Sequence, residues 1–84
     1  MLYHSARFRK QWKRLSPKVK DEVDARVEML QKHEFAGVLN SHKLSGTYAE
    51  YRSINVSGDI RIAYKRVPDG FYLLAVGTHG ELYK

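Results

Sequence analysis

The chain has 84 residues, no cysteine, and fifteen Lys and Arg against nine Asp and Glu, a formal net charge of +6. These totals exclude disulfides and thiolate metal sites, and no apolar run approaches the roughly 18–20 residues of a membrane span. They leave room for one domain, residues 1–84, burying about 60% of its unfolded surface around one core. Two isolated prolines and six dispersed glycines leave no linker and no low-complexity segment. The first ten residues, MLYHSARFRK, lack the apolar segment of a secretory signal, so a cytoplasmic protein is expected.

The charge is unevenly placed. Residues 1–20 hold Arg7, Arg9, Lys10, Lys13, Arg14, Lys18 and Lys20 and no acid. Such a one-signed cluster attracts polyanions, nucleic acid first among them, and equally serves as a solvated helix face.

In chain order, Leu2-Tyr3-His4 reads as a short edge strand and Ser5 as an N-cap. Phe8, Trp12 and Leu15 recur at i, i+4, i+7, one face of a short helix. Ser16-Pro17 starts a second helix, with Ser as cap and Pro in the first turn. Val19, Val23, Val27 and Leu30 are its apolar stripe, and Glu22–Arg26 and Glu28–Lys32 are i,i+4 pairs in the favourable order. The first half is thus a helical hairpin with a basic first arm.

The period then changes. Residues 36–46 read as a connecting segment. Residues 51–56 alternate, with Arg52, Ile54 and Val56 on one face and Tyr51, Ser53 and Asn55 on the other. Ser57-Gly58 is a hairpin signal, and residues 59–65 alternate again, with Ile60, Ile62 and Tyr64 inward and Arg61, Ala63 and Lys65 outward. Pro68-Asp69-Gly70 is a turn, and the nearly unbroken apolar run 71–76 is a strand covered on both sides. His79 to Tyr83 form a last short helical turn. The expectation is an α+β fold: two helices on one face of a three-strand antiparallel meander, joined by the N-terminal strand. The other face is expected to be concave or open and to carry Tyr51, Ser53, Asn55, Arg61 and Lys65.

The chemistry rests on four histidines, His4, His33, His42 and His79. No two have the helical spacing of a metal pair, and there is no phosphate loop and no nucleophile elbow, so no metal and no cofactor are expected. His42, followed by Lys43, lies in the connecting segment, and His79 lies just past the last strand. Two loop histidines at the margin of a cationic sheet have the makings of a general base and a general acid, with Arg and Lys to neutralise a phosphate. That is what cleavage of RNA through its own 2′-hydroxyl requires. A loop histidine is more often a surface residue, however. Tyr83 has three readings: stacking on a base, donating its hydroxyl, or tucking onto the core.

The order of these residues resembles the RelE/ParE superfamily of bacterial toxins, and within it the YafQ-like ribosome-dependent mRNA interferases. SHKLSG is similar to the family's His-x-Leu-x-Gly segment, which makes His42 a general base by resemblance. GTHGELY is similar to the terminal Gly-(Ser/Thr)-His-x-x-Leu-aromatic motif, which makes His79 the general acid and Tyr83 the functional aromatic. YRSINVSGD resembles a segment of aromatic-Arg, then His, then Asp. Here Asn55 replaces the histidine, and asparagine does not exchange protons. Asp59 matches the acidic position, either orienting a histidine or serving as a turn residue. Arg61, apolar in the YafQ-like pattern, is placed to restore what Asn55 loses. Arg52 matches a family arginine, but its parity is equally that of a structural residue. The resemblance implies mRNA, the ribosome and a cognate antitoxin as partners, with Lys43, Arg52, Asn55, Arg61 and Lys65 contacting RNA. Two other functions fit the same fold: gyrase inhibition by binding, as in ParE-like toxins, and an RNA- or antitoxin-binding module that has lost activity.

Overall fold

Ser5 ends the first strand and starts the first helix, and its side chain makes both events happen. In a computed structural model of the chain, described over residues 1–82, Ser5 Oγ accepts from Phe8 N at 2.9 Å as the N-cap. The same hydroxyl donates to Leu74 O at 2.6 Å. It thereby fastens strand β1 (Leu2–His4) and helix α1 (Ala6–Lys13) to strand β5 (Gly70–Thr78). Ser16 caps helix α2 (Pro17–Lys32) in the same way, through Val19 N at 3.3 Å, with Pro17 in the first turn. Of the two expected helical ion pairs, Glu28–Lys32 closes at 3.0 Å.

The sheet has five strands in the order β1-β5-β4-β3-β2, where β2 is His42–Lys43, β3 is Arg52–Ser57 and β4 is Ile60–Val67. The β1–β5 pairing is parallel and the others are antiparallel. The apolar run of β5 follows from its place inside the sheet between β1 and β4. A short helix, α3 (His79–Leu82), follows it.

Both helices pack on one face. Phe8, Val23, Val27 and Leu30 meet Ile54, Ile62, Tyr64, Leu73 and Val76, with Trp12, Leu15 and Val19 at the margin. The helical stripes and strand parities read from the sequence are those of this core.

Three expectations need correction. Residues 36–46 are more than a connection: they contain β2, flanked by 3-10 turns at Gly37–Leu39 and Gly46–Tyr48. Two residues are too few to show a period, so composition alone reads as loop. The β3–β4 turn is Gly58-Asp59 rather than Ser57-Gly58, with Ser57 paired to Ile60. A bulge between Asn55 and Ser57 adds one residue to β3 and shifts the turn, and Gly58 supplies the positive φ of +54°. Finally, the second face is concave but partly covered. Ser53 is fully buried, and Ala63, Ala75 and Leu82 form a second small core with Leu44 and Leu74 at its edge. The short helix lays Leu82 across the two alanines, which leave room for it.

Candidate functional site

On this second face, beside the small core, lies an open cavity of about 580 Å³ lined by Asn40, His42, Leu44, Ser45, Thr47, Tyr48, Arg61 and His79. His42 and His79, 37 positions apart by number, share it because β2 and the end of β5 flank the same stretch of β3 and β4.

His42 is held from two directions. Leu39, fully buried, anchors the preceding turn, and Asn40 then adopts a left-handed conformation with φ 47°. Asparagine tolerates that conformation better than most residues. The Asn40 carbonyl consequently lies 2.9 Å from His42 Nδ1. A carbonyl only accepts, so Nδ1 carries the proton and Nε2 of the neutral ring keeps its lone pair, as a general base needs. Pairing with Ser53 turns His42 to the cavity face, while Lys43 pairs with Arg52 and turns the other way.

His79 is held by a capping box. Glu81 Oε1 accepts from Thr78 N at 2.8 Å, and Thr78 Oγ1 accepts from Glu81 N at 3.2 Å. This reciprocal pair ends β5 and presents His79, exposed, as the first residue of α3. Gly77 eases it: a Cβ there would sit 3.1 Å from Glu81 Oε1, a tight contact that the carboxylate would have to shift to relieve. Gly80 has open space around it and carries no such demand.

Between the histidines lies Arg61, whose Nη1 donates to Asn55 Oδ1 across the β3–β4 pair. Its Nε is buried and finds no acceptor among the described residues. A buried donor without a partner is costly, and nothing among the described residues offsets it. Asn55 therefore orients the arginine.

The other sequence-derived residues lie elsewhere. Lys43 is exposed on the opposite side of β2. Arg52 is taken up structurally: its Nε donates to Ser41 Oγ at 2.9 Å, its Nη2 to Ser41 O at 3.2 Å, and Glu34 Oε2 lies 3.9 Å away. Lys65 sits between the rings of Tyr51 and Tyr72. Asp59 is an exposed turn residue at the His79 end of the sheet, outside the cavity lining. Tyr83 lies outside the described residues. His4 stacks on Phe8 with ring centroids 6.0 Å apart, and His33 caps α2.

Sequence reasoning missed the support beneath His42. Glu34, nearly buried, accepts from the Tyr64 hydroxyl at 2.8 Å and from Arg66. The Tyr64 oxygen also meets Ser41 Oγ at 2.7 Å, one residue before His42. Burial, and secondarily the Glu34 carboxylate, push the Tyr64 pKa up despite the opposing Ser41 hydrogen bond. No motif announces this network, because its members are far apart in sequence. The Thr-x-x-Glu box at 78–81 was legible and marks the turn that holds His79. Among the described residues no three of His, Asp and Glu gather as a metal site.

The family model for YafQ, the bacterial toxin of a type II toxin–antitoxin system, matches residues 1–84. The chain belongs to the YafQ family. Its fold is that of the YafQ toxin of E. coli strain BL21(DE3), with a TM-score of 0.86 at 20% identity, covering 100% of this chain and 98% of that one. The E. coli DinJ–YafQ toxin–antitoxin complex gives 0.82 at 22% identity, covering 100% and 97%. The YoeB–YefM complex of Staphylococcus aureus gives 0.81 at 13%, covering 94% and 95%. No curated protein matches the sequence. The sequence-level resemblance to YafQ-like toxins is thus the family to which the chain belongs.

Proposed function

We propose that this YafQ-family toxin is a metal-independent endoribonuclease that cuts mRNA in the ribosomal A site. The observation that carries the reading is a cavity whose lining brings Arg61 together with His42 and His79. His42 Nε2 removes the 2′-hydroxyl proton, and the 2′ oxygen attacks the adjacent phosphorus. The P–O5′ bond breaks, and His79, as imidazolium, protonates the departing 5′ oxygen. The products are a 2′,3′-cyclic phosphate and a free 5′-hydroxyl. Arg61 neutralises the charge that develops on the phosphate oxygens. Asn55 holds Arg61 in place and exchanges no proton. The protein's own groups supply base, acid and cation, so no metal has a step to perform.

The basic face of the first helix then meets ribosomal RNA. Because relatives are seen as DinJ–YafQ and YoeB–YefM complexes, a cognate antitoxin holds this toxin inactive in the cytoplasm. The test is cell-free translation of a reporter mRNA with the purified protein, with 5′ ends mapped by primer extension. Discrete, in-frame cuts that require ribosomes are expected, and they should vanish with His79→Ala. Intact mRNA together with blocked gyrase supercoiling would replace the reading with a gyrase-binding one.

A further inference from the structure

The second face of the sheet has a feature that the cleavage chemistry does not use. Beyond the alanine row covered by Leu82, a row of aromatic residues crosses the strands. Lys65 on β4 pairs with Tyr72 on β5, which pairs in turn with Tyr3 on β1. Tyr51, just before β3, stands on the other side of Lys65. The Lys65 ammonium lies 5.4 Å from the Tyr51 ring centroid and 5.8 Å from that of Tyr72. Tyr51, Tyr72 and Lys65 are half-buried and Tyr3 is exposed. The row also connects to the cavity. Tyr48, which lines it, meets Tyr51 edge-on with centroids 6.4 Å apart at 70°.

We propose that Tyr51, Lys65 and Tyr72, entered through Tyr48 at the cavity rim and continued by Tyr3, form a stacking platform for the single-stranded RNA that flanks the phosphate to be cut. The inference rests on the nuclease reading of the cavity and extends it to the neighbouring nucleotides. Three features support it. Four strands span about 14 Å across the sheet, room for about four bases stacked at about 3.4 Å. Tyrosine offers a π-face that any base accepts, so the platform holds the strand without reading its sequence. Lys65, placed between two rings, and Arg61 in the adjoining cavity put positive charge along the path that the backbone would take, which favours a polyanion as the occupant. The continuity through Tyr48 joins the row to the cavity and so selects the same RNA strand as its occupant.

The probe is a fluorescently labelled hexaadenylate with 2′-O-methyl riboses, which binds but lacks the attacking hydroxyl. A dinucleotide of the same chemistry is the control that fills the cavity alone. Anisotropy titration should show the hexamer binding about tenfold more weakly with Tyr51→Ala and again with Tyr72→Ala, and the dinucleotide unaffected. Tyr51→Phe and Tyr72→Phe should bind as the native chain does, because the π-face is kept. Lys65→Met should reduce the salt dependence by about one counterion. If the alanine variants fail to fold, the native chain carries the test: the ring protons of Tyr51 and Tyr72 should shift upfield with the hexamer. Hexamer binding unchanged by both alanine variants overturns the platform, as does absence of any ring shift or of any hexamer binding. The two readings separate cleanly. Ribosome-dependent cuts with no platform signature leave the nuclease reading standing alone. A platform signature without cuts removes the nuclease reading and leaves an RNA-binding face.

Discussion

Two half-buried arginines on neighbouring strands lie on opposite faces of the same sheet, and they are treated differently. Arg52, on the helical side, is satisfied by Ser41 and lies close to Glu34. Arg61, on the cavity side, is held by Asn55 through one nitrogen while its Nε stays unpartnered among the described residues. A satisfied buried charge is part of the scaffold, because its hydrogen bonds complete the interior. A buried nitrogen left without a partner is a cost that the scaffold does not offset. The contrast separates an arginine taken up by the scaffold from one that lines the cavity with a donor left over.

The contrast can be broken from either side. The largest effect should come from the histidines: His42→Ala or His79→Ala should lower ribosome-dependent cleavage by about 10²–10⁴-fold in primer-extension rates, with thermal unfolding unchanged. A folded variant that cuts at the native rate would remove that histidine from the chemistry. Arg61→Met should lower cleavage by about 10²–10³-fold while leaving stability unchanged or raised, because an unsatisfied buried donor is removed. A clear loss of stability would make Arg61 a scaffold residue like Arg52.

The scaffold side should respond in the opposite sense. Glu34→Ala leaves the Tyr64 hydroxyl and two arginines without their carboxylate, and should cost about 3 kcal/mol in denaturant unfolding. Tyr64→Phe, which removes one hydroxyl from the same network, should cost about 1–2 kcal/mol. The smallest effect is in its pH dependence. The folded Tyr64 pKa is raised above 10.0, so the folded state keeps its proton after the unfolded chain has lost it. That contribution to stability is complete below about pH 10 and is lost as pH rises through the folded value. The alkaline fall in stability should therefore be shallower in Tyr64→Phe. It should not vanish, since Tyr3, raised chiefly by its hydrogen bond to Asp69, remains. An unchanged alkaline limb would take Tyr64 out of the network.

Much of the fold could be read along the chain where one element decides its own structure. Ser5 and Ser16 announce the two helix starts, and the valine stripe of α2 names its buried face. The alternation Ile60, Ile62, Tyr64 orients β4. What escaped was set by partners distant in sequence. A bulge moved the β3–β4 turn by one residue, and two residues, His42 and Lys43, became a strand through pairing alone. For the site, the two histidines and Arg61 were legible and the cavity gathers them. Lys43 and Arg52 had the right charge but face the other side of the sheet, and charge says nothing about facing; Lys65 shares the face of the cavity but sits beyond its lining, between Tyr51 and Tyr72.

The sequence by itself determined the helical hairpin, the parity of the long strands and the family, because caps, periods and the GTHGELY motif are local properties of residue order. Only the tertiary structure decided which cations serve the cavity and which serve the scaffold. That choice depends on strand register: one residue of register turns a side chain from one face to the other, as it does between His42 and Lys43. Register is fixed by pairing across the sheet, which no short stretch of sequence contains.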